Sequence, residues 1–539
     1  MNVLWIMCDQ LRFDYLSCAG HPTLETPNID ALAARGVRFD RAYVQSPICA
    51  PSRMSAYTGR YCRSHGSTWN GFPLRIGEPT LGDHLRKIGV RPVLVGKTHM
   101  VPDRAGMEWL GIDPASPVGR NHAECGFEPF IRDDGIHPDG PLAEPELSYN
   151  RYLRENGYGG DNPWEEWANA TEDKDGSAHS GWLMRYNGLP ARVPDEHSET
   201  PYMTRKAMEF METAGDGPWL CHLSFIKPHW PYVVPAPYND MYGKDDIQAA
   251  IRHDRERDGD HAHPVFRAFQ QSRICRGFVD EAVREAIIPP YMGLIRQVDD
   301  QLGELFAFME ARGMMDDTMI VFSSDHGDYL GDHWMGEKDQ FHDVSARVPL
   351  IICDPRSKAD ATRGMVRADL VEYIDLAPTF LDAFGGAPLP HILEGRSLMP
   401  LLHDRAEPEA WRQYAISEYD YSTRYARIAL DVPPEDARMT MVCDARWKYI
   451  HAEGFRPMLF DLENDPLELN DLGADPAHEA VRNRMYEALC AWSRKFHTRI
   501  TVPAALVERN TNVEVPGVYI GVWDETDLKR HFPNATPQP

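Results

Sequence analysis

No apolar run in the 539 residues approaches the length that would cross a bilayer, so no membrane-spanning helix is expected. The start of the chain offers only residues 3–7 as continuous apolar sequence, with no basic residue before them, too short for the core of a secretory signal. The ten cysteines, from Cys8 to Cys490, show no paired spacing, which excludes a disulfide framework and leaves reduced thiols. Positive charge is scarce. Against 82 Asp and Glu stand 56 Lys and Arg, a net charge of -26, so no general field attracts nucleic acid, and an anionic ligand must be held by a local cluster. No internal repeat is visible. These absences point to a cytoplasmic protein acting on a small molecule, with neither nucleic acid nor membrane as partner. At this length, with 42% hydrophobic and 26% charged residues, two globular domains are expected.

What is present concentrates in Cys49-Ala50-Pro51-Ser52-Arg53-Met54-Ser55-Ala56-Tyr57-Thr58-Gly59-Arg60. Pro51 suits the first position of a helix, residues 52–57 complete about one and a half turns, and Gly59 supplies a stop. Cys49 then lies at the positive end of that helix, where anions are stabilised. The run resembles the signature of the type I sulfatases, Cys-x-Pro-Ser-Arg-x-x-x-x-Thr-Gly, in which the cysteine is oxidised during biosynthesis to formylglycine (3-oxoalanine), the catalytic nucleophile. The resemblance implies that Cys49 is a precursor and that a formylglycine-generating maturation enzyme is a partner.

Around this run the apolar segments fall into order. A buried strand over residues 2–7 runs into Asp9-Gln10, and a helix is expected over residues 27–35 with Thr26 as N-cap and Gly36 as stop. A helix over 81–88 and a strand over 92–95 deliver Gly96-Lys97-Thr98-His99. A helix over 202–214 and a strand over 219–225 deliver Lys227-Pro228-His229. The clearest helix spans 291–312, where Ile295, Val298, Leu302, Leu305, Phe306 and Met309 recur at helical spacing; it feeds a strand over 319–323 that ends at Asp325-His326-Gly327-Asp328. Each chemically rich segment follows an apolar strand, as in α/β sheets whose ligands sit beyond the carboxyl ends of the strands.

The expected fold is α/β, a large mixed and mostly parallel sheet sandwiched by helices. It occupies residues 1–404, followed by a smaller α+β domain over 405–500 with short strands at 439–442, 448–451 and 459–462 and a helix over 476–496. Excursions at about 101–200 and 238–288 lack periodicity and read as lids or substrate walls. In the tail, 501–539, Val513, Val515, Val518, Ile520, Val522 and Trp523 alternate imperfectly, like an arm that packs on a neighbour in a dimer or tetramer.

The two strand-terminal pairs, with Cys49, resemble the metal site of the alkaline phosphatase superfamily, to which sulfatases belong. The resemblance makes Asp9, Gln10, Asp325 and His326 metal ligands, with the formylglycine at position 49 completing the shell. Many sulfatases carry Asn where this chain has His326 and Asp where it has Gln10. An imidazole moves the preference from calcium toward a softer cation, so Mn²⁺ is expected, with Ca²⁺ the alternative. Lys97 and His99 resemble the family's Gly-Lys-x-His element, Lys227 and His229 its Lys-Pro-His element, and His333 and Lys338 the run that follows Asp-His-Gly. By that resemblance Arg53 fixes the diol and Lys97 one of its oxygens, Lys338 and His229 neutralise the ester and protonate the leaving alcohol, and His99 removes a proton to regenerate the aldehyde. Lys227, Asn70 and His333 are assigned to substrate binding, although His333, with His342 and Asp343, also suits supporting work. Trp69 reads as core.

The implied activity is hydrolysis of a small sulfate monoester, aryl for preference, with cross-activity toward phosphonate and phosphate esters. The rival is a phosphonate monoester hydrolase or phosphodiesterase of the same superfamily. Those relatives tend to have Cys-Gly-Pro-Ala-Arg and a Tyr-Thr pair where this chain has Cys49-Ala50-Pro51-Ser52-Arg53 and Lys97/His99. A non-catalytic anion-binding protein in which Cys49 stays a thiol is the reading from another class.

Overall fold

The computed structural model describes residues 1–135, 147–259, 261–405, 411–495, 497–511, 522–531 and 533. Its strands in chain order are β1 (Asn2–Asp9), β2 (Val37–Tyr43), β3 (Arg91–Gly96), β4 (Glu128–Arg132), β5 (Ala170–Glu172), β6 (Ala178–Ser180), β7 (Trp219–Pro228), β8 (Thr318–Ser324), β9 (Arg347–Cys353) and β10 (Met365–Glu372). A second group comprises β11 (Ala415–Asp420), β12 (Arg438–Cys443), β13 (Trp447–Ala452) and β14 (Met458–Asp461). Eight of them form one sheet in the order β10-β2-β9-β8-β1-β7-β3-β4. Every neighbouring pair in it is parallel except the two made by β9. Only β9 is reversed, so the other strands present their carboxyl ends along one edge.

Side-chain alternation gives this sheet two dry faces. Leu4, Ile6 and Cys8 of β1 pack with residues of the helices Pro27–Arg35, Glu199–Thr213 and Glu281–Ala311. Val3, Trp5 and Met7 face the opposite layer, which contains Met54, Ala56 and Tyr57. The four central strands β8, β1, β7 and β3 therefore lie between helical layers, with Asp325, Asp9, Lys227 and Lys97 at or just past their carboxyl ends. Close approach at this edge needs Gly96: its φ is 112°, and a Cβ there would lie 2.1 Å from the Ser224 carbonyl oxygen.

Of the eight strands of this sheet the expectation names β1, β3, β7 and β8, and leaves out β2, β4, β9 and β10. At two elements proline misleads. The helix expected from residue 291 begins at Glu281, capped by Asp280, and runs through Pro289 and Pro290, both buried. β9 is missing from the expectation altogether; its Pro349 falls where the pairing with β2 shifts register between Phe39 and Ala42 and takes no place in either ladder.

The smaller sheet is an antiparallel succession of β11 to β14. One face packs on Met485, Leu489 and Trp492 of the helix Glu479–Ser493, the other on Tyr329, Met335 and Phe341. Buried Lys448 joins the two parts: its Nζ lies 2.6 Å from Asp343, 2.6 Å from Glu468 and 2.9 Å from the Phe341 carbonyl. The sheet thus braces the segment that carries Lys338. Phe496 and the tail residues Val513, Val515, Val518 and Ile520 lie outside the described residues. Trp523 is 93% exposed.

Two buried histidines give the fold a pH dependence. His222 on β7 stacks on Trp5 at 4.2 Å and bonds Tyr57 at 2.9 Å, and His65 bonds Ser55 at 3.0 Å. Burial pushes each from 6.5 down to about 3. Between those values the unfolded chain binds the protons that the folded one refuses, so their stabilisation is complete above pH 6.5 and falls on acidification toward pH 3. The expected slope is about 1.4 kcal/mol per pH unit for each histidine. Urea unfolding at pH 7 and pH 5 reads it, and equal midpoints would contradict it.

Candidate active site

The Cys49 helix starts earlier than Pro51 suggested. It spans Cys49–Thr58, all ten residues are buried, and Gly59 ends it at φ 64°. Pro51 falls in the first turn, where a missing N–H costs no helical bond. Asn70 accepts a hydrogen bond from the Ala50 N–H at 2.9 Å, which fixes the turn that presents the Cys49 sulfur.

That sulfur meets the two central strands. Ligand-type atoms of Asp9, Cys49, Asp325 and His326 all lie within 4.8 Å of one another, and all four residues are buried. Sγ is 3.1 Å from His326 Nε2 and 3.8 Å from Asp9 Oδ1. The Nδ1–H of His326 donates to the Gly327 carbonyl at 2.8 Å, leaving Nε2 to face the cluster. Gln10 is held with its Nε2 on Asp328 at 2.5 Å, which turns Oε1 toward the Lys338 ammonium at 3.2 Å. Tyr232 also bonds Asp328, at 2.7 Å. A neutral amide oxygen, two carboxylates and an imidazole suit a borderline divalent cation.

Buried positive charge surrounds these acids. Arg53, fully buried, donates to Asp325 at 2.7 Å, Asp9 at 3.1 Å, Ser224 at 2.8 Å and the Lys97 carbonyl at 2.9 Å. Lys97 Nζ lies 2.7 Å from Asp9. Burial and Cys49 push the Asp9 carboxyl up, yet Lys97, His229 and Arg53 outweigh them and hold it well below the carboxylate range. Burial likewise opposes ionisation of Cys49, but Lys338 and His326 draw its thiol well below the ordinary value. Position 49 is therefore a place where negative charge is stabilised.

Lys338 Nζ lies 3.0 Å from the Cys49 sulfur and 3.2 Å from His229 Nε2. His229 donates its Nδ1–H to the Trp230 carbonyl at 2.6 Å, so Nε2 is the working nitrogen. Burial, helped by Lys338, lowers its pKa to about 4. Cys49, Asn70, His99, His229 and Lys338 all border a cleft of about 660 Å³. Both long excursions contribute walls, Trp182 and Met184 from the first and Arg273, Ile274 and Phe278 from the second.

Five residues sit differently from the roles expected. Lys227 turns away from the cleft: its Nζ donates to the Pro231 carbonyl at 2.9 Å, in a small cavity shared with Glu199. His333 is bonded to Glu256 at 2.6 Å and stacked on His342 at 3.9 Å, outside the cleft. Arg53 braces the carboxylates, and Lys97 lies behind Asp9, 1% exposed. Trp69 borders the cleft, with the Arg424 guanidinium 4.7 Å above its ring. Glu256, His333 and His342 also form a candidate metal cluster. The two imidazoles, however, are stacked only 19° from parallel, so their in-plane lone pairs do not converge on one ion. Asp328, Tyr232, Trp182, Trp230 and Arg273 were not singled out by motif; Asp328 alone had a signal, two residues beyond the Asp-His pair.

The sulfatase family profile matches residues 1–387, and the profile of the C-terminal region of N-sulphoglucosamine sulphohydrolase matches residues 331–495. The chain is 30% identical to the multifunctional alkaline phosphatase superfamily protein PehA of Trinickia caryophylli, over 94% of this chain and 99% of that protein. It is 27% identical to an arylsulfatase of Clostridium perfringens, over 87% and 90%. The structure is similar to that of the phosphonate monoester hydrolase SpPMH from Silicibacter pomeroyi, with TM-score 0.78 and 31% identity over 93% of this chain and 96% of that one.

Proposed function

The chain belongs to the sulfatase family, and on that premise we propose that it hydrolyses small aryl sulfate monoesters through a formylglycine made from Cys49, accepting phosphonate and phosphate esters as further substrates. The observation that carries this reading is the placement of the Cys49 sulfur 3.0 Å from Lys338 and 3.1 Å from His326, on the border of an aromatic cleft. Asp9, Gln10, Asp325 and His326, with the modified residue 49, would hold a divalent cation, Mn²⁺ by donor set, which when bound polarises the ester and lowers the pKa of a hydroxyl. The hydrated formylglycine would supply a geminal diol, whose ester can collapse by carbon-oxygen cleavage where a serine ester would wait for water.

The side chains around it divide the remaining work. Lys338 faces the ester oxygens with a full charge, since Cys49 and Asp9 hold its ammonium against the cost of burial. His229, whose bare Nε2 accepts a hydrogen bond from the Lys338 ammonium, relays a proton from that ammonium to the leaving oxygen, which leaves Lys338 neutral after the step. His99, on the cleft wall, is assigned the proton of the second hydroxyl. Arg53 and Lys97 keep Asp9 ionised, and Asn70 fixes the helix turn and the cleft border.

The position of Lys227 favours phosphonate monoesters as the second reading, because a cation counted toward sulfate recognition is turned away from the ester. Comparing kcat/KM on the sulfate and phosphonate esters of one phenol decides between them; a dominant phosphonate rate would reverse the order. Mass spectrometry of the peptide containing Cys49, from a host with the maturation enzyme, tests the nucleophile, and unmodified thiol alone would refute it. A homo-oligomer built with the tail is also proposed, and light scattering on a chain truncated near Thr501 should then report a smaller assembly.

A further inference from the structure

Resting on the reading of an aryl ester hydrolase, we propose that the natural leaving group carries a carboxylate, which Arg273 receives at the cleft wall. The lower cleft is committed to the ester, where Lys338 and His229 converge on position 49. Its walls are aromatic: Trp230 meets Trp182 edge to face at 5.7 Å, and Trp69 and Phe278 also border the space. A volume of about 660 Å³ exceeds what a sulfate group needs and accommodates a substituted ring.

The charges on those walls do not cancel. Arg424 is neutralised by Asp339 at 2.6 Å and lies over Trp69. Glu337 carries only part of its charge near neutral pH, because burial pushes its carboxyl up to about 7. Arg273 borders the same cleft, is exposed, and has no hydrogen bond or ion pair among the described residues. In a chain of net charge -26, a guanidinium without an acidic partner beside a substrate cleft is a local exception, and its planar fork matches a carboxylate in two bonds.

Arg273 is also carried on a fixed support. Phe278, at the end of the helix Arg273–Phe278, is 1% exposed and fills the space over Gly336, where a Cβ would come within 2.1 Å of its ring. Cys275 packs on Met335. The helix is therefore docked on the segment that leads two residues later into Lys338, so the distance from the ester-binding ammonium to the guanidinium is set by packed core.

The test uses the mature enzyme with two probes, 4-carboxyphenyl sulfate and its methyl ester, on the wild type and Arg273→Ala. The ratio of kcat/KM for the two esters is taken within each protein, which cancels differences in folded or matured fraction. Dividing one protein's ratio by the other's removes the unequal leaving-group chemistry. The expected result is a fall of about tenfold in that ratio on substitution, as for loss of a charged hydrogen-bonded pair, expressed in KM of the carboxylate ester. A ratio unchanged within twofold, or one that moves through kcat alone, would overturn the proposal. No turnover of either ester by the wild type would instead overturn the aryl ester reading, and the proposal with it.

Discussion

Cys49→Ala is expected to lower kcat/KM on an aryl sulfate by a factor on the order of 10⁴ or more, the loss typical of removing a covalent nucleophile. The same substitution should leave the thermal midpoint within a few degrees. Both halves follow from the contacts of the sulfur. It is the atom on which Lys338 and His326 converge, at 3.0 and 3.1 Å, and no other nucleophilic side chain among the described residues shares those partners. Removing it does not strand them, since Lys338 keeps Gln10 and His229, each at 3.2 Å, and His326 keeps Gly327. The helix itself is held by Asn70 at its start and Gly59 at its end, neither of which involves the side chain of residue 49. Steady-state rates with a thermal melt check the pair of claims; retention of more than about one percent of activity would contradict the assigned nucleophile.

The parts of the fold that were legible in the sequence are those whose burial is simple. β1, β7 and β8 are buried along almost their whole length and read as apolar runs ending in polar residues, β7 interrupted only by His222 and Ser224. β9 was hidden by Pro349, because a proline in a central strand is tolerated only where the ladder breaks, and that break depends on β2, about three hundred residues away. In the candidate site, the gathering of Asp9, Cys49, Asp325 and His326 was legible because each sits at a strand end or a helix start, whose positions the pattern fixes. Side-chain direction was not. Lys227 and His229 are two residues apart, but Pro231 and Glu199 draw one inward and Trp230 and Lys338 hold the other at the cleft. His333 was misplaced for the same reason, since Glu256 and His342, which claim it, come from an excursion and a loop without periodicity.

Arg53→Met should have the largest effect on stability, about 3–5 kcal/mol, because it removes one partner from a buried ionic group and leaves the others charged. Arg53 has no exposed surface and binds Asp325 and Asp9 through different nitrogens, while its remaining N–H groups hold Ser224 and the Lys97 carbonyl. Methionine fills much of the volume but supplies none of these donors. Asp9 would retain Lys97 at 2.7 Å, whereas Asp325 would retain the Gln10 N–H at 3.1 Å and no cationic side chain from this group. Arg53→Lys should recover only part of the loss, since an ammonium is a point charge and cannot span both carboxylates with a planar fork. The damage should also depend on metal. A divalent cation held by Asp9 and Asp325 returns positive charge to the place the guanidinium left, and a ligand bound only by the folded state stabilises by mass action. The gap between wild type and Arg53→Met in chemical denaturation should therefore be widest in chelator and narrow with added Mn²⁺. A gap below about 1 kcal/mol in chelator would show that the guanidinium is not what balances the two acids. A gap unchanged by metal would show that the cation and Arg53 do not act on the same carboxylates.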